Sequence, residues 1–112
     1  MSTFRSQQLT RPFNVRIFNK NFSQISCDSE KRDWTFIHRN LDLLAAGATF
    51  SGIHFTREDV RHDYGEIRFI TVGNLCNTLV VMVWTDRFPA LHVISLRKAS
   101  RRERKAFKFL HQ

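Results

Sequence analysis

The residues of this chain with chemistry to offer are cations and histidines. Residues 97–108 carry seven Lys or Arg and one acid, Glu103. Arg68 follows Glu66 by two positions, and Lys31 and His38 stand seven apart nearer the start. A guanidinium stays charged at physiological pH and can present two parallel N–H groups to one phosphate. An imidazole titrates near neutrality and can take or give a proton. These types together suit chemistry at a phosphate ester, where charge grows on oxygen and protons must move.

Arg68 and Arg97 are the first candidates for holding such a charge. Arg68 falls on an expected strand, on the face opposite Phe69, and Arg97 follows the last strand near the final helix. The competing reading for each is an ion pair with Glu66, Asp63 or Glu103. Lys31 reads equally well as a phosphate contact and as part of a solvated helix face. His38 is the leading candidate for a base or acid, with His62 second. His92 reads as ordinary alternation along a strand, and His54 and His111 carry no signal. Glu66 can act as a base, but holding Arg68 in place is the better reading. Glu103 fits a capping box with Ser100, S-x-x-E. No two histidines have metal-ligand spacing, so neither metal nor cofactor is expected.

The basic run allows three readings: phosphate contacts, a docking surface for an acidic partner segment, or a solvated face. The first two can share one surface, and that shared use is favoured. Arg87, Lys98, Arg101, Arg102 and Lys105 are the expected nucleic-acid contacts. Trp34 and Trp84 can stack on bases, but both lie in apolar periodic segments and are expected in the core. Tyr64, just before Gly65, is expected to pack at a turn.

The elements that must position these groups follow from pattern. Residues 23–27 suit a short strand, and Asp28 can cap a helix beginning at Ser29. Trp34, Ile37, Leu41 and Leu44 recur at helical steps, which predicts a buried face. Asn40 interrupts that helix, and Gly47 and Gly52 shorten the next one. Residues 53–62 suit an edge strand. Residues 66–72, 78–85 and 91–96 suit a meander whose middle strand is covered on both faces. Ser100 opens the last helix, with Ala106, Phe107 and Leu110 on one face. The expected class is α+β, with an antiparallel curved sheet, two N-terminal helices and one C-terminal helix, all on one sheet face.

The length suits one domain. The formal net charge of +8 favours an anionic partner: nucleic acid, an acidic protein or a charged membrane surface. No apolar run is long enough for a membrane helix. Cys27 and Cys76 match no zinc or redox spacing and suit a reducing compartment. Residues 1–22 contain four cations and no acid, with four Phe in no clear period. They lack a secretory core segment and read as a flexible extension, leaving a domain over 23–112. A cytoplasmic location is expected.

From residue 24 onward the order of motifs resembles the BrnT toxin family. Asp28 and Lys31 match its opening, with Cys27 in place of an aromatic. "WTFIHRNLDL" over 34–43 matches at Trp34, Thr35, Arg39, Leu41 and Asp42, with Asn40 where the family has Gly. Residues 63–68 resemble its Asp-Tyr-Gly-Glu-x-Arg segment. "VVMVWTDR" over 80–87 and "VISLRKASRRE" over 93–103 match its central strand and its Ile-Ser-x-Arg-Lys-Ala signature. The resemblance implies a RelE-like fold and a metal-independent endoribonuclease toxin that inhibits translation. It also implies a BrnA-like ribbon-helix-helix antitoxin, a complex of two toxins and two antitoxins, and DNA contact only through that partner. The alternative is a non-catalytic module that pairs with an antitoxin or nucleic acid; the changes at Cys27 and Asn40 motivate it. A DNA-binding regulator acting alone lacks helix-turn-helix spacing.

Overall fold

The computed structural model describes residues 13–111, and for His111 the backbone alone. Its centre is a five-stranded sheet in the order β3-β7-β6-β5-β4. The strands are β3 (Gln24–Cys27), β4 (His54–Glu58), β5 (Arg68–Leu75), β6 (Thr78–Arg87) and β7 (Ala90–Lys98). β4 to β7 form an antiparallel meander. β3 pairs parallel to β7, with Ser26 opposite His92 and Cys27 opposite Val93. The sheet is therefore mixed, which corrects the wholly antiparallel expectation. The cause is the covalent path: after β3 the chain spends a helix and a 3₁₀ segment before rejoining the sheet at its far edge.

Strand alternation divides the core in two. On one face Val80, Met82 and Trp84 of β6 pack with Leu91, Val93 and Leu96 of β7. Helix α1 (Ser29–Arg39) and the 3₁₀ segment Leu43–Ser51 cover this face, contributing Leu43 and Ala46. Gly47 allows a close approach there: a Cβ on it would stand 2.0 Å from the Phe13 ring. The buried Trp84 indole donates to Thr71 Oγ1 at 2.9 Å, and Thr71 also bonds Thr56. On the other face Ile70, Val72, Leu79 and Val81 pack with Ala99, Phe107 and Leu110 from the C-terminal segment. Helix α2 (Arg101–Ala106) belongs to that segment. The helices thus lie on both faces of the sheet, not one.

Two further expectations change. Over its described part, the N-terminal extension is a hairpin, β1 (Val15–Ile17) with β2 (Lys20–Phe22). Phe18 and Asn19 turn it in the left-handed region, and Phe22 is buried against Trp84. Lys20 pairs with Asp86. The rest of the expected flexible arm, residues 1–12, lies outside the described residues. Trp34 is also not core: it is 49% exposed, and Ile37 is 75% exposed. The buried side of α1 is polar instead. Thr35 is buried, Arg32 grips Asp42 at 2.7 and 2.9 Å, and Arg39 donates to Leu96 O at 2.8 Å.

Asn40 ends α1 at φ 57°, with its N–H bonded to Phe36 O. After Gly, Asn is among the residues that best tolerate this left-handed cap. The departure from Gly at this position is conformationally equivalent.

Candidate active site

The C-terminal segment covers the apolar end of the second sheet face. The other end carries polar groups in one cross-strand row. Arg68 pairs with Thr85, Thr85 with His92, and His92 with Ser26. In-register neighbours project on the same face, so four strands deliver four side chains to one line. Ser26 Oγ and His92 Nδ1 are 2.9 Å apart. Burial and the Arg87 charge hold the His92 imidazole below its ordinary value of 6.5. Glu66 and Asp28 pull weakly the other way, and Lys31 adds to the depression. The imidazole is therefore biased toward its neutral form, with groups of both signs acting on it.

Glu66 organises the cations. Its Oε2 meets Arg68 Nε at 3.3 Å and its Oε1 meets Arg87 Nη2 at 3.6 Å. Arg68 also lies over the Tyr64 ring, 4.0 Å from the centroid. Residues 59–66 form the adjoining loop, and a surface cavity of about 510 Å³ opens among Glu58, His62, Asp63, Tyr64, Glu66 and Ile67.

Glu66, Arg87 and Lys31 are thus near enough to His92 to bias its charge, and Arg68 stands two strands away in the same row, whereas the sequence alone reads His92 as ordinary strand alternation. The available signal is slight: a histidine between Leu91 and Val93, pointing away from the side of β7 that those two residues bury. Arg97 is not part of this group. It pairs with Val81, four positions along β6 from Thr85, or about 13 Å at the usual rise. Its guanidinium forks onto Glu103 at 2.8 and 2.8 Å. Glu103 completes the capping box with Ser100 as well. That double engagement lowers the Glu103 carboxyl to about 2. His38 stacks on Trp34 at 4.4 Å and bonds its carbonyl, on the outer side of α1. It lies seven residues beyond Lys31, about 10 Å along the helix. Arg101, Arg102 and Lys105 are exposed on α2, while Lys98 alternates to the sheet face opposite Arg97.

Residues 27–103 match the family model of the ribonuclease toxin BrnT of type II toxin-antitoxin systems. The chain belongs to the BrnT family. No curated protein matches it. The matched span begins within β3 and ends at Glu103, so it contains the whole cross-strand row apart from Ser26. The family is one of ribonuclease toxins of type II toxin-antitoxin systems, which implies an RNA substrate and an antitoxin partner. Within the family motifs, Arg39 and Asp42 fasten α1, whereas Glu66 and Arg68 face the row. Among the described residues no helix is long and apolar enough to cross a membrane.

Proposed function

We propose that this chain cuts RNA without a metal, using His92 as general base and Arg68 with Arg87 as the phosphate clamp. The observation that carries the reading is the row Ser26–His92–Thr85–Arg68, with the His92–Ser26 hydrogen bond at one end. With Nδ1–H donating to Ser26 Oγ, the Nε2 lone pair faces outward and takes the proton of a ribose 2′-hydroxyl. The 2′-oxygen then attacks the neighbouring phosphorus, the P–O5′ bond breaks, and the departing 5′-oxygen takes a proton from solvent, leaving a 2′,3′-cyclic phosphate and a 5′-hydroxyl end. Arg68 and Arg87 stabilise the charge that develops on the non-bridging oxygens, and Lys31 adds a contact from α1. Glu66 keeps the two guanidiniums apart yet aimed at one volume. Arg97 is assigned to binding, with Lys98, Arg101, Arg102 and Lys105 forming the flanking RNA contacts.

The cellular role follows the family: growth arrest through loss of translatable RNA, in the cytoplasm. Neutralisation falls to a BrnA-like ribbon-helix-helix antitoxin in a two-plus-two complex, with DNA reached only through it. The basic residues of α2 suit an acidic antitoxin segment, and a RelE-like ancestry suits an α+β sheet of this order. The test is cleavage of single-stranded RNA by the purified 112-residue chain in chelator. His92→Ala should slow it by about 10²–10⁴-fold, the usual worth of a general base. Arg68→Ala should slow it by about 10²–10³-fold. A folded wild-type chain that leaves RNA intact at every concentration overturns the reading and leaves a non-catalytic module.

A further inference from the structure

We infer that Asp59 is a positioning residue that acts through Tyr64 to set the guanidinium of Arg68; this rests on the reading of Arg68 as a phosphate-holding group. Asp59 is the one charged side chain among the buried described residues, at 4% exposure. A carboxylate in such a place is costly unless several donors hold it. Asp59 has four. Arg61 supplies Nε and Nη2 at 2.7 Å each and its main-chain N–H at 3.2 Å. Tyr64 OH donates to Oδ2 at 3.2 Å. The Arg61 guanidinium holds the carboxyl far below the usual carboxylate range, so it is charged at any working pH.

A turn-stabilising role explains the Arg61 contacts but not the direction of the rest. The Asp59 N–H donates to Arg68 O at 2.8 Å, tying the loop to the main chain of Arg68 itself. The Tyr64 ring, anchored at its hydroxyl by Asp59, carries the Arg68 guanidinium on its face. The contacts close a ring: Asp59 main chain to Arg68 main chain, Asp59 side chain to Tyr64, Tyr64 ring to Arg68 side chain. Glu66 takes Arg68 Nε. Among the described residues the terminal nitrogens of Arg68 have no protein partner, and they are the atoms a phosphate needs. A guanidinium on a three-carbon stem has many rotamers, and ordering it beforehand lowers the entropy cost of catalysis. Tyr64 supplies the surface, and Asp59 fixes where that surface lies.

The experiment is steady-state cleavage of a short RNA by the full chain carrying Asp59→Asn, Tyr64→Phe or Tyr64→Leu, each in wild-type and Arg68→Ala backgrounds. Tyr64→Phe keeps the ring and the fold, so it stays informative if Asp59→Asn unfolds the chain. Asp59→Asn and Tyr64→Leu should each lower kcat about tenfold, and Tyr64→Phe about threefold, within the range of coupled neighbours. KM should stay within about twofold, since the loss is in alignment. In the Arg68→Ala background none should lower kcat further. Equal losses in both backgrounds overturn the inference and make Asp59 a fold residue, while the reading of Arg68 stands. An Arg68→Ala chain that cuts at the wild-type rate overturns that reading and the inference with it.

Discussion

Arg68 and His92 flank Thr85 in a single cross-strand row, each in register with it from the neighbouring strand. Two strand spacings put their Cα atoms roughly 10 Å apart, which long side chains close over one phosphodiester. The proposed base and clamp thus come from opposite sides of β6, the most deeply buried strand.

This arrangement fixes the pH dependence of cleavage. In the proposed mechanism the reactive form is neutral His92, whose pKa is held below 6.5 by burial first and Arg87 second. The rate should rise with pH through that lowered value and then level off. Arg87→Gln should move the midpoint up, and Glu66→Gln should move it down. A kcat/KM profile measured from pH 4.5 to 8 checks both shifts, and a midpoint indifferent to both charges would remove His92 from the role. Stability follows the same sign: the neutral imidazole favours the native state above about pH 6.5, and this is lost as pH falls through the folded value.

A second consequence concerns Glu103. Its folded pKa of about 2 lies below the ordinary 4.5. Its stabilising effect is therefore complete above pH 4.5 and disappears between 4.5 and 2. Arg97→Ala removes a partly exposed ion pair and should cost about 0.2–1 kcal/mol. Glu103→Ala loses the capping box too and should cost about 0.5–2 kcal/mol. Chemical denaturation at pH 7 and pH 3 tests the order: the penalty of both variants should shrink at pH 3. Cleavage by Arg97→Ala should fall far less than cleavage by Arg68→Ala.

The left-handed cap at Asn40 gives a third prediction. Asn40→Gly should leave stability within a few tenths of a kcal/mol, since both residues accept φ 57°. Asn40→Ala should cost about 1–2 kcal/mol, because Ala keeps the Cβ that crowds the following carbonyl and loses the short polar side chain that offsets that crowding in Asn. Thermal unfolding of the two variants side by side decides it. Equal melting temperatures would mean the cap conformation carries no strain.

Much of the architecture was legible because it is local. The meander shows as apolar strands separated by polar breaks, although Gly73 and Asn74 lie inside β5 and the chain turns at Cys76–Asn77 and at Phe88–Pro89, and the capping box of α2 is a four-residue pattern. Trp84 sits in an unbroken apolar run, and it is fully buried. Trp34 misled because its helix buries Thr35 and fastens itself through Arg32 and Arg39, so counting apolar side chains chose the wrong face. The site divides the same way. Glu66, Arg68 and Arg87 announce themselves by charge, but His92 stands out only through its hydrogen bond to Ser26, sixty-six residues away. That contact exists because β3 adds parallel to β7, a pairing that no short pattern encodes.

The exposed cations of α2 give the last prediction. Among the described residues Arg101, Arg102 and Lys105 form no ion pair, and all three are exposed. If they neutralise RNA phosphates, each releases a counterion on binding. Replacing all three with Gln should flatten the log–log salt dependence of binding to single-stranded RNA by about 2, at roughly 0.7 per charge. The measurement needs the His92→Ala chain, so that RNA survives the titration. Cleavage at low salt should weaken mainly through KM, because these groups lie along the apolar end of the face and not in the row. An unchanged slope would make α2 a solvated helix and move the phosphate contacts back to Arg68, Arg87 and Lys31 alone.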